Sequence, residues 1–163
     1  MQNPRKFHYY FLQYISAHPF EDLEFKTIWQ NFLSTTKYEV LTHHYQHAYR
    51  LFRTLEQRGF IKSETSNKVY KYTANYRPNT LMESLIPEDS GLNAFKMLMD
   101  DLESSKALLE EATLDLKNFQ EAKEKYQDFT THIEQFITLT NSRIKILTSK
   151  VNVLYKIASR IRD

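Results

Sequence analysis

Between Leu92 and Asp163 the sequence contains neither glycine nor proline. A stretch of that length without a helix breaker reads as helix. It also carries a seven-residue repeat whose phase never slips. Leu102, Leu109, Leu116, Ile137, Ile144 and Val151 stand at a positions, and Phe119, Ile133, Leu147 and Leu154 at d positions. Of the twenty a and d positions from Phe95 to Ile161, sixteen are apolar; the exceptions are Ser105, Lys123, Thr130 and Thr140. Such a seam is buried only against another helix, so the repeat predicts a coiled coil. One straight helix would reach about 105 Å at 1.5 Å per residue. Two features argue against a single rod. Phe129, Phe136 and Ile157 fall at g and widen the apolar face. Thr138-Leu139-Thr140-Asn141-Ser142 is weak helix sequence and could hold a bend. Lys96–Asp128 holds 9 acidic and 5 basic residues, and Arg143–Asp163 holds 6 basic and 1 acidic. Opposite charges of this kind favour an antiparallel arrangement, as a hairpin within one chain or as two chains crossing. The region therefore holds one helix or two.

The N-terminal part has a different grammar. Leu41, Tyr45, Ala48, Phe52 and Leu55 recur at i, i+4, i+7, i+11 and i+14, which makes one apolar helical stripe. Gly59 follows and can adopt the left-handed conformation that ends a helix. The period then changes to alternation. Phe60–Glu64 and Val69–Thr73 read as two strands around the polar turn Thr65–Lys68. Upstream, Asn3 and Pro4 suit the start of a first helix. Its apolar face is Phe7, Tyr10, Phe11, Tyr14 and Ile15, and His18–Pro19 ends it. A short strand at Leu23 precedes a second helix with Phe25, Ile28, Trp29 and Phe32 on one face, where Trp29 should be buried against the first and third helices. Thr36 and Glu39 have capping-box spacing, so the third helix starts at Lys37, or after a break near Thr42.

Helix, glycine stop and basic hairpin together resemble the second half of a bacterial winged helix-turn-helix regulator of the broad PadR and MarR kind. The matching residues are Leu55, Glu56, Gly59, Phe60 and Ile61, then Tyr70, Lys71, Tyr72 and Thr73, within roughly the first 75 residues. The resemblance implies a mostly α fold: an N-terminal winged helix-turn-helix of three helices plus a β-hairpin wing, then long C-terminal coiled-coil helices that dimerise. The expected organisation is a DNA-binding domain over residues 1–78, a connector over 79–91 and a dimerisation region over 92–163. In such a fold the third helix enters the major groove and the wing lies along the backbone or minor groove. The residues expected to face double-stranded DNA are His43, Gln46, His47, Tyr49, Arg50 and Arg53 on the helix, with Lys62, Asn67, Lys68 and Lys71 on the wing. Gln46 and Arg50 suit paired hydrogen bonds to adenine and guanine.

Charge agrees in sign. Residues 1–78 carry 11 Lys/Arg against 6 Asp/Glu, whereas residues 79–163 carry 11 against 14. A basic head on an acidic body suits a nucleic-acid partner. The absence of cysteine excludes disulfide and thiolate chemistry and suits the cytoplasm. No apolar run approaches the roughly 18 residues of a membrane span, and the first residues lack the h-region of a signal peptide. His43, His44 and His47 spell HHxxH, and His43 and His47 are one helical turn apart. A third metal ligand and the glutamate of HExxH are missing, so no metal is expected. Neither a glycine-rich phosphate loop nor a GxSxG elbow occurs, and neither an enzyme nor a cofactor is expected. The reading is a homodimeric, sequence-specific transcriptional regulator on an inverted-repeat operator. Its rivals are a winged-helix and coiled-coil interaction module, which could bridge DNA without choosing a sequence, and a repressor that senses a small-molecule effector at its tyrosine-rich junction.

Overall fold

The computed structural model describes residues 5–161; the expected helix start at Asn3 and Pro4 lies outside them. The chain divides into two compact units, one ending at Phe95 and the other spanning Lys96–Ile161. The first unit contains α1 (Arg5–Ala17), α2 (Phe25–Thr35), α3 (His44–Gln57), β1 (Ile61–Ser66), β2 (Val69–Ala74) and α4 (Thr80–Leu85).

Its core is aromatic. Phe7, Phe11 and Ile15 from α1 meet Ile28, Trp29 and Phe32 from α2, and all are buried. Trp29 lies 6.1 Å from the Phe7 and Phe11 rings and 5.5 Å from Tyr45 of α3, so it is held between the first and third helices. Helix α3 begins later than the Thr36–Glu39 capping signal predicts. The Thr36 hydroxyl instead accepts from the Tyr38 amide at 3.1 Å, while the Thr36 amide closes α2 by donating to the Phe32 carbonyl. The chain then runs irregularly to His43.

Gly59 takes a φ of +81°, and the Phe60 amide returns to the Leu55 carbonyl at 2.9 Å. A side chain there meets nothing within 4 Å but is strained by the backbone itself. Gly59→Ala is therefore expected to lower stability by about 1 kcal/mol in urea unfolding, and Gly59→Asn by less, because asparagine tolerates this region.

The hairpin is antiparallel, with Ile61 opposite Ala74 and Ser66 opposite Val69. Its turn is only two residues, Asn67 and Lys68, with φ of +50° and +65°. Two positive φ values match the right-handed twist of the flanking strands. Leu23 adds an isolated bridge to Tyr72, with reciprocal backbone hydrogen bonds of 3.1 and 2.8 Å. Beyond the hairpin, the Tyr76 hydroxyl donates to the Ile15 carbonyl at 2.9 Å, and the Asn79 amide to the Ser16 carbonyl at 2.7 Å. Leu81 and Leu85 of α4 are buried. The segment expected as a connector thus docks on the end of α1.

The glycine-free region is two long helices, α5 (Ser90–Lys125) and α6 (Thr130–Arg160), with a short 3₁₀ turn at Gln127–Phe129 between them. Asp89 caps α5, its carboxylate accepting from the Gly91 and Leu92 amides. In the second unit the helices run antiparallel. Lys123 pairs with Glu134, Arg143 with Glu111 and Asp115, and Lys150 with Asp101, while Phe119 stacks on Phe136 at 5.4 Å. The helix is not interrupted at Thr138–Ser142, and α6 continues through it. The Thr138 and Ser142 hydroxyls donate to the Glu134 and Thr138 carbonyls one turn back, and Thr140 is buried. The chain turns at Tyr126–Phe129 instead.

Candidate nucleic-acid interface

Three sides of α3 have different surroundings. Ala48, Phe52 and Leu55 are buried, and so is His44. Leu41 and Tyr45, expected on the same buried stripe, are exposed. His44 explains the shift in phase. Its Nδ1 accepts from the Leu41 amide at 2.9 Å while its own amide donates to the Leu41 carbonyl at 3.0 Å. Its ring stacks on Phe7 at 4.5 Å and 3°. The imidazole thus fastens the turn that leads into the helix and fills core space together, a role that apolar periodicity cannot register.

The opposite side carries Gln46 and Arg50, both exposed. Successive helical residues advance by about 100°, which places Arg53 and Gln57 beside them. Arg53 is engaged, however: its guanidinium pairs with Glu56 at 2.5 Å, and Glu56 also accepts from the Ser63 hydroxyl of β1. The Tyr72 phenol is pushed up to about 12 by burial first and then by nearby Tyr49, while Arg53 opposes the shift. This network ties the outward side of α3 to both strands of the hairpin. Its sequence signal is slight, since Glu56 precedes Ser63 by one irregular turn.

The remaining expected contacts separate by position. His43 is exposed just before α3. His47 is half-buried, and its Nδ1 has no hydrogen-bond partner among the described residues. Burial, then His43 and Arg50, lower the His47 pKa. His47 therefore stands on the flank of α3, less exposed than Gln46 and Arg50. On the hairpin, Lys62, Asn67 and Lys68 are exposed, whereas Lys71 pairs with Asp22 at 2.7 Å. Arg50, Lys62 and Lys68 form no ion pair with another described residue. His43 and His47 ring centres lie 5.3 Å apart, yet among the described residues no group of three or more His, Cys, Asp or Glu is arranged to hold a metal ion.

The ten residues expected for dimerisation lie on the seam between α5 and α6 of a single chain. Leu102 is buried; Leu109, Leu116, Phe119, Ile133, Ile137, Ile144, Leu147, Val151 and Leu154 are half-buried. No helix among the described residues is long and apolar enough to cross a membrane. Comparison with protein-family models, curated proteins and solved structures gave no match.

Proposed function

We propose that the first unit is a winged helix-turn-helix that binds double-stranded DNA, with α3 in the major groove and the β1–β2 hairpin as the wing. The protein would act as a homodimeric transcriptional regulator on an inverted-repeat site, one half-site per subunit. The observation that carries this reading is the wing tip. Lys68 stands at φ +65°, where a glycine would avoid a cost of about 1 kcal/mol. A cation held there in spite of that cost, with no acidic partner among the described residues, suits contact with an anion outside the chain. Arg50 and Gln46 on α3 add groups able to make paired hydrogen bonds to base edges.

The test is fluorescence anisotropy on duplexes selected from a random library, titrated with salt. Arg50→Ala should lose about 1–3 kcal/mol on the preferred site and relax sequence choice, because a two-bond base contact carries specificity. Lys68→Ala should weaken all sequences alike and reduce the log–log salt slope by about one, since one fewer counterion is released. Salt-insensitive affinity, no greater than that of a control protein of equal charge, would overturn the DNA reading and leave an interaction module.

A further inference from the structure

Helix α6 has a second apolar stripe that its own hairpin leaves largely exposed, although Phe136 at one end of it stacks on Phe119 of α5. Phe136, Leu139, Ile146, Val153 and Ile157 lie on it, with Phe129 just before the helix. Leu139 and Ile146 are 67% and 69% exposed, far more than the seam residues beside them. The spacing alternates between three and four residues, with Arg143 and Lys150 filling two of the steps. That is a heptad pattern in its own right, displaced about a quarter-turn from the a/d seam. A helix with two such seams has the faces of a member of a four-helix bundle, which meets two neighbours. Helix α5 fills only the first.

We infer that the second seam is where another copy of this chain docks, α6 against α6 and antiparallel, to close a four-helix bundle from two hairpins. Three observations favour a second copy over an unrelated partner. The stripe spans about 42 Å from Phe129 to Ile157 at 1.5 Å per residue. Over the roughly 20 Å width of two helices that offers about 800 Å² per partner, the size of a standard stable interface. A two-fold axis needs a self-complementary patch, and an antiparallel heptad seam meets that need by construction. The cations within the stripe are compensated inside each chain, Arg143 by Glu111 and Asp115, and Lys150 by Asp101, so two basic helices can approach. The inference deepens the homodimer part of the proposed function and leaves the a/d seam inside each chain.

Light scattering on the full chain at tens of micromolar, without DNA, should give twice the 19.6 kDa of one chain. The double variant Ile146→Glu, Val153→Glu should give a single-chain mass with unchanged helical circular dichroism, because both side chains already face solvent. The chain has no cysteine, so single spin labels can report the orientation. Labels at Ser142→Cys should lie within about 20 Å of each other across the dimer, and those at Ser159→Cys roughly 45 Å apart. A single-chain mass for the unaltered protein, a two-chain mass for the double variant, or short distances at both label sites would each overturn the inference. Failure here is separable from failure of DNA binding: a single-chain protein with salt-sensitive DNA affinity sinks the dimer alone, and a two-chain protein without that affinity sinks the DNA reading alone.

Discussion

Phe52→Ala should cost about 3–5 kcal/mol, the range for deleting a fully buried aromatic ring. Phe52 is completely buried, and its ring lies 5.4 Å from Phe20, 5.0 Å from Phe25 and 5.0 Å from Tyr72. It therefore joins α3 to α2, to the loop between α1 and α2, and to the hairpin. Small domains are stable by only about 5–15 kcal/mol in all, so the variant should unfold at a much lower urea concentration. Tyr45 provides the contrast. It belongs to the same sequence stripe but is 39% exposed, so Tyr45→Ala should cost well under half as much. Equal losses at the two positions would mean that α3 buries its face in the phase expected from apolar spacing alone.

That contrast shows where the sequence is legible. A helical period identifies α3, because Ala48, Phe52 and Leu55 share a face in any phase. It leaves the start open between Lys37 and a break near Thr42, and the structure starts α3 at His44, because the residue that fixes it is a histidine. His44 is polar on every hydropathy scale, yet it is buried by stacking on Phe7 while bonding to Leu41. The hairpin is visible in the change of period and the basic polar turn. Its turn is shorter than expected, since Thr65 and Ser66 remain paired with Tyr70 and Val69.

The long C-terminal pattern hid its own turn. The heptad phase runs through Tyr126–Phe129 without a slip, so the repeat looks continuous where the chain reverses. The exceptions to the repeat held the information. Lys123 and Thr130 are polar seam positions that flank the turn. Ser105 and Thr140, the other two, are small residues buried in the second unit. Weak helix propensity at Thr138–Ser142 was the stronger local signal, but packing of α6 in the second unit, with Thr140 buried, overrides it.

For the candidate interface, the sequence supplied a helix and a hairpin and could not supply the internal pairing. Lys71 and Arg53 look like free cations in a list of basic residues. Asp22 engages the first from 49 positions away, and Glu56 engages the second from the next turn. Which cations remain available is a property of three-dimensional neighbours, and so Arg50, Lys62 and Lys68 emerge only from the fold.

Acidification from pH 7.5 to pH 5 should remove up to about 4 kcal/mol of stability. His8 and His44 are both lowered to about 4. Burial is the largest cause for each. Nearby His47 lowers His8 further while Asp89 opposes it, and His43 and His47 add to the effect on His44. Both rings are therefore neutral in the folded chain at pH 5, whereas the unfolded chain takes up protons from about 6.5 downward. Above 6.5 neither state binds protons and nothing changes. Between 6.5 and about 4 each histidine weakens the fold by about 1.4 kcal/mol per pH unit, and below 4 the loss levels off. Urea unfolding at the two pH values measures it, and an unchanged midpoint would refute it. His44→Asn should roughly halve the pH-dependent loss, since an amide oxygen can still accept from the Leu41 amide and does not titrate. For the DNA binding proposed above, the consequence is a gain that does not appear. Extra positive charge on histidines alone would tighten DNA binding as pH falls. His8 and His44 stay neutral in the fold at pH 5, and a fold stable by about 5–15 kcal/mol stays mostly folded after this loss, so the proposed DNA affinity should gain nothing from these two rings.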